Sequence, residues 1–244
     1  MSLFSGSSLS LKKVFEHLFE AQGEQEVDDF IKRYADFFRD ENWKPLGGSP
    51  NNYAIIENQQ SSPIAALVEK ITNSIDATLM KRCYEKGIDP KSATAPKSME
   101  EAVKEFYSGK AKNWDMPSFR KAQAENLQII ASGKRIEPSL VIYDDGEGQA
   151  PEMFEKTFLS LVTGNKNEIH FVQGKYNMGG SGAIVFCGKK GYQLIGSRRF
   201  DKKGKFGFTI IREHPLSKEE KQTKKNTWYE YLTVKGVIPS FEMD

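Results

Sequence analysis

The sequence predicts an α+β fold, on three observations. Apolar residues recur at helical spacing through the first half of the chain, and strand patterns crowd the last third. Between them a short buried-type strand, Ser139-Leu140-Val141-Ile142-Tyr143, runs into a glycine turn with a helix start at Pro151. At 244 residues, 38% hydrophobic and 28% charged, the chain can bury a sizeable core. The division expected is an N-terminal helical extension over 1–50 and a main domain over 51–244, with a helical insertion at 84–137.

The first fifty positions read as a helical hairpin. Leu11, Val14, Phe15, Leu18 and Phe19 form one stripe, and Phe30, Ile31, Tyr34, Phe37 and Phe38 form another after the breaker Gln22-Gly23-Glu24. Each stripe must be buried, against the main domain or in a homodimer through these helices. The turn-rich stretch from Trp43 to Asn52 is expected to be an exposed connection. A strong helix follows from about Ile64 to Lys81. In the insertion, Ser98-Met99-Glu100-Glu101 opens a helix as a capping box with Gly109 as its stop, and a second helix is expected from about Ser118 to Gly133. Near the C-terminus, Tyr192–Arg199 and Phe206–Glu213 alternate as a hairpin, Trp228–Val234 adds a strand, and the charged run Ser217–Lys225 reads as a solvated loop.

Composition excludes several classes. Lys and Arg number 35 against 33 Asp and Glu, so there is no electrostatic case for wrapping nucleic acid. Cys83 and Cys187 make no disulfide framework, and with three scattered histidines they make no zinc spacing. No apolar run approaches the roughly 18–20 residues of a membrane span, and the N-terminus lacks a secretion pattern. A cytoplasmic protein is expected.

Three constellations carry chemistry. On the predicted helix Ile64, Val68, Ile71 and Ile75 share one side, while Glu69, Asn73 and Asp76 share nearly the opposite one. That reading commits the isoleucine face to the core and leaves two carboxylates and a carboxamide in a row, a set suited to a hard cation and a water. The second is Asp144-Asp145-Gly146-Glu147-Gly148, where a carboxylate at a strand's end meets glycines that allow close approach of a flat ligand. The third is Gly174-Lys175-Tyr176-Asn177-Met178-Gly179-Gly180-Ser181-Gly182, a glycine cluster before an apolar helix start, where backbone N–H groups could converge on a phosphate. No P-loop pattern occurs, and no strand leads into a Rossmann fingerprint.

Together and in this order the three motifs resemble the GHKL superfamily of DNA gyrase, the ninety-kilodalton heat-shock chaperone, histidine kinases and MutL. That family's pattern is E-x-x-x-N-x-x-D, then D-x-G-x-G, then a glycine-rich lid. The resemblance spans roughly residues 54–235. It implies a Bergerat-type two-layer sandwich, a mixed sheet with helices on one face, binding ATP with Mg²⁺. Asp144 would bond the adenine amino group, with Gly146 and Gly148 close to the ring. Asn73 would hold Mg²⁺, Asp76 would complete the nucleotide-facing helix, and Glu69 would be general base on the attacking water. Gly179, Gly180, Ser181 and Gly182 would line the phosphate cradle, Lys166 and Lys175 would be lid cations, and Thr227 would lie near the adenine. Glu147 stands where gyrase-like members often carry arginine, so local ion pairing should differ.

The function implied is an ATP-driven conformational switch with slow hydrolysis, because gyrase-like members take a terminal-phosphate lysine from a second domain and nothing after Thr227 supplies one. Two alternatives accompany it. One is a histidine-kinase-like phosphotransferase with His17 on the first helix as acceptor. The other is a nucleotide-binding module of a DNA-processing or phage-defence assembly, with a protein or DNA client.

Overall fold

The computed structural model describes residues 9–59, 62–107, 124–161, 167–174 and 182–243. The α+β class is as expected. The main sheet has the order β1 (Trp43–Pro45), β6 (Tyr229–Leu232), β5 (Phe206–Glu213), β4 (Gln193–Ser197), with β7 (Ser240–Phe241) pairing the start of β5. A separate hairpin joins β2 (Leu127–Lys134) to β3 (Glu137–Asp144). Every pair among these strands is antiparallel, which corrects the mixed sheet anticipated from the motifs. The β4–β5 hairpin forms as its alternation predicts, with Leu194 opposite Ile210.

The strand β5 is buried along both of its faces. Phe208 and Ile210 point toward α1 (Leu11–Glu20) and α2 (Glu24–Arg33), meeting Val14, Leu18, Val27, Phe30 and Phe38. Ile211, one residue on, joins a core with Leu46, Ile56 of α3 (Tyr53–Glu57), Phe154, Leu159 and Ile184. A strand covered on both sides reads as a continuous apolar run, which Phe206-Gly207-Phe208-Thr209-Ile210-Ile211 is. The aromatic stripes of the N-terminal hairpin therefore pack on the sheet. Two carboxylates reinforce this seam: Glu24 accepts the Lys190 N–H at 2.7 Å, and Asp28 accepts from the Tyr192 hydroxyl at 2.6 Å and pairs with the Lys190 ammonium.

The stretch from Trp43 to Asn52 is exposed at Gly47, Gly48, Pro50 and Asn51 as expected, but its start is built into the fold. Trp43 is buried in β1, its indole N–H donates to the Phe38 carbonyl at 2.9 Å, and the Arg212 guanidinium stacks 3.6 Å over its ring. Arg212 in turn pairs with buried Glu230, which also bonds His214 Nδ1. Ser217–Lys225 is likewise more than a loop, because Ser217 and Glu220 form a reciprocal capping box on a helix Lys218–Thr223.

The long helix α4 (Pro63–Glu85) forms where expected, capped by Ser62. Its distal half buries Leu79, Met80 and Cys83 against α5 (Met99–Phe106) and Phe171, and α5 starts at Ser98 as predicted. The expected second insertion helix is corrected in its last part: residues 124–126 are helical, but Leu127–Lys134 is a strand, and 118–123 lie outside the described residues. Ile129 and Ile130 face Ile142 and Val141 across the ladder, and Gly133, at φ +80°, opens the turn. A non-local partner overrides the helix-compatible residues before it. Pro151 opens a 3-10 turn (Pro151–Lys156) in place of a full α-helix. Among the described residues no helix is long and apolar enough to cross a membrane.

Candidate functional site

A wide cleft of about 2820 Å³ lies between α4, the β2–β3 hairpin and β4. The face α4 turns to it carries Ala66, Lys70, Asn73, Ser74 and Ala77, small and polar residues at helical spacing. This corrects the expected orientation: Ile64 and Val68 are 73% and 55% exposed, and Ile75 is exposed too. The inward path is taken by residues that let a strand-end loop come close, so Val68 and Ile75 are left outside and Ile64 stands exposed at the cleft's edge.

That loop is Asp144–Gly148, and it is keyed to the helix at three points. The Ser74 hydroxyl donates to Asp144 Oδ2 at 2.9 Å, the Glu147 N–H donates to the Ala77 carbonyl at 2.9 Å, and Lys81 pairs with Asp145 at 2.7 Å. Gly146 has no space for a side chain, since a Cβ there would lie 2.5 Å from the Ala77 methyl. The second Asp144 oxygen accepts the Gly146 N–H at 3.0 Å, which fixes the carboxylate plane. Gly148, at φ +60°, packs against the strand that follows: a Cβ there would lie 1.8 Å from the Arg198 carbonyl oxygen. The Gln149 N–H reaches Ser197 Oγ, and the Phe200 N–H reaches the Glu147 carbonyl, both at 2.9 Å. The loop is thus clamped between α4 and the exit of β4.

Asp76 does different work. It is fully buried, and its carboxylate accepts the Gln173 N–H at 2.9 and 3.1 Å and the Gly174 N–H at 2.7 Å. Gly174 is held so close to α4 that a Cβ would lie 2.5 Å from Asn73 Oδ1. The segment entering the glycine-rich stretch is therefore fastened beside Asn73.

Of the residues anticipated from sequence, the cleft gathers Asn73, Asp144, Gly146 and Gly148. Half-buried Glu69 lies on the Asp76 side of α4, at the edge of the cleft-facing stripe. Gly182 is buried ahead of the 3-10 turn Ile184–Phe186. Thr227 lies apart, its hydroxyl donating to the His214 carbonyl at 2.7 Å at the far end of β5. His17 also lies apart, stacked on Phe30 with Nδ1 against the Lys13 carbonyl at 2.8 Å. Lys166, Lys175, Gly179, Gly180 and Ser181 fall outside the described residues.

Sequence reasoning missed Ser74, Ala77 and Lys70. The signal was present: positions 66, 70, 73, 74 and 77 form their own stripe, hidden by the louder isoleucine one. Lys70 stands out chemically, because burial pulls its ammonium down to about 8, against opposing pulls from Cys187 and Glu69. Among the described residues no group of three or more His, Cys, Asp or Glu is placed to hold a metal ion. Comparison with protein-family models, with curated proteins and with solved structures finds no match.

Proposed function

We propose that the chain binds an adenine nucleotide with Mg²⁺ in the α4 cleft and hydrolyses it slowly, acting as a conformational switch. One observation carries this reading: the Asp144 carboxylate, oriented by Ser74 and Gly146 N–H, shares a cleft with Asn73, the residue next to Ser74 on α4. An ionised carboxylate is an acceptor, the chemistry that recognises an exocyclic amine. Gly146 and Gly148 keep the wall beside it bare of side chains. The flat end of a purine fits such a wall.

Asn73 brings one neutral oxygen beside the Gly174 backbone, where any larger residue would crowd it. A hard cation takes further oxygens from phosphate and water, so the donor set fits Mg²⁺ held mainly by its nucleotide. When bound, Mg²⁺ would supply charge neutralisation on the phosphate oxygens. The chain's own contribution is placement. Asp144 fixes the base, Asp76 holds the entrance of the glycine-rich stretch to α4, and Glu69 takes the role of general base on the attacking water. Gly179, Gly180, Ser181 and Gly182, with Lys166 and Lys175, belong to the phosphate side of this reading; Thr227 has no part in it. Binding would shift the protein between conformations and so change how it meets a second copy or a protein or DNA client.

Calorimetric titration with a non-hydrolysable ATP analogue and Mg²⁺ tests the reading. Wild-type protein should bind, and Asp144→Asn should weaken binding about 10- to 100-fold. Glu69→Ala should keep binding and lose phosphate release. Equal affinity in wild type and Asp144→Asn would sink the proposal.

A further inference from the structure

The β2–β3 hairpin stands apart from the main sheet, and β3 is the strand that lies along α4. That leaves β2 outermost, and among the described residues no strand pairs with its free edge. Ile129 and Ile130 are each 47% exposed and point to opposite faces, so both sides of this edge are apolar. From Leu127 to Ser132 the strand holds no charge and no proline, the usual protections of an edge. The outer strand of the main sheet is protected in that way: β1 is three residues long, carries Lys44 and ends at Pro45. A two-stranded ladder is also marginal by itself, and added strands stabilise it.

Symmetry and charge decide what fits the edge. A strand that pairs with its own copy about a two-fold axis runs antiparallel, with one residue on the axis facing itself. With Ile130 on the axis, Ile129 faces Ala131 of the second copy, Gln128 faces its Ser132, and Glu125 faces its Arg135. Two-fold symmetry repeats that opposite-charge pair at the other end of the strand. Moving the axis to Ile129 sets Glu125 against Gly133, and moving it to Ala131 sets Glu125 against Glu137. The Ile130 register therefore joins an apolar centre to matched charges at both ends. Glu125 and Arg135 are exposed, and among the described residues neither takes part in an ion pair within the chain. The aromatic stripes of the first two helices, by contrast, are already covered inside the chain.

The geometry points to a homodimer in which β2 pairs edge to edge with β2 of a second copy, Ile130 on the axis and Glu125 against Arg135 at either end. The two hairpins become one four-stranded antiparallel sheet. This contact is independent of the nucleotide reading and needs no ligand.

Sedimentation velocity of the full chain without nucleotide, over a concentration series, tests it. Wild type should dimerise, and amide exchange along β2 should slow as concentration rises. Ile130→Lys sets two ammonium groups against each other on the axis and should weaken the dimer about 10- to 100-fold. Glu125→Arg and Arg135→Glu should each weaken self-association about 10-fold, because each brings like charges together at both ends. Mixed in equal amounts, these two variants regain opposite charges at both ends and should associate with near wild-type affinity, a rescue that a contact elsewhere would not give. Circular dichroism checks each fold, and the two exposed charge variants decide the matter if Ile130→Lys does not fold. A wild type that stays monomeric throughout the series overturns the inference. So does a dimer indifferent to the charge substitutions, or a mixture that shows no rescue. None of these outcomes touches nucleotide binding, which is measured separately.

Discussion

The N-terminal hairpin and the β2–β3 hairpin carry similar apolar content and meet opposite fates. In the first, Val14, Leu18, Phe30 and Phe38 disappear into one core with Phe208 and Ile210. In the second, Ile129, Ile130, Leu140 and Tyr143 stay exposed, with Ile130 and Leu140 on the wall of the cleft. The difference lies in what each lies against. The first has a strand covered on both faces to pack on; the second has only its own ladder, tied down at its two ends. At one end Asp144 bonds Ser74. At the other Gly133 fits so tightly on the Gln22 carbonyl that a Cβ would lie 2.3 Å from it. A strand pair held at its ends, with an unfilled middle, makes a wall.

The largest effect expected from this contrast is on stability. Phe208→Ala should cost about 3–5 kcal/mol in chemical denaturation, and Leu140→Ala less than about 1 kcal/mol, because only the first empties a closed core. Comparable losses at both positions would erase the distinction. Next comes the joint between cleft wall and sheet. Gly148→Ala meets both a left-handed backbone and the Arg198 carbonyl, so it should displace the loop, costing about 1–3 kcal/mol and removing nucleotide binding. Binding that survives in the folded variant would show that the clamp is not needed. The most local effect is at Asp76→Asn, which exchanges one acceptor oxygen for an amide beside the Gln173 and Gly174 N–H groups. A loss of about 1–3 kcal/mol is expected, with faster amide exchange at Gly174 as the measurement that locates it.

Much of the site was legible, because its parts are local. Helix α4, the strand end at Asp144 and the glycines after it each follow from spacing within a short window, and the β4–β5 hairpin follows from alternation. What was not legible depended on distant partners. The sequence of α4 defines two faces but not which meets the cleft, and that choice is made by Gly146 packing on Ala77. Ile129 and Ile130 become strand because Val141 and Ile142 lie opposite them. Trp43 sits among turn residues, yet it is buried because Arg212 stacks on it from another strand. Asp76 looked like a ligand-facing carboxylate, but it holds backbone N–H groups nearly a hundred residues away. Periodicity says that a stripe must be covered; the cover itself is named only by the fold.

The seam between the first helices and β5 bears on how this protein is to be dissected. Phe30, Phe38 and Phe208 share one core, and Glu24 and Asp28 hold Lys190 and Tyr192 just before β4 begins. A cut near residue 50 would therefore not trim an appendage. It would strip the outer skin from the central strand and unfasten the peptide that follows the glycine-rich stretch, leaving a fragment whose inactivity would say nothing about the intact molecule.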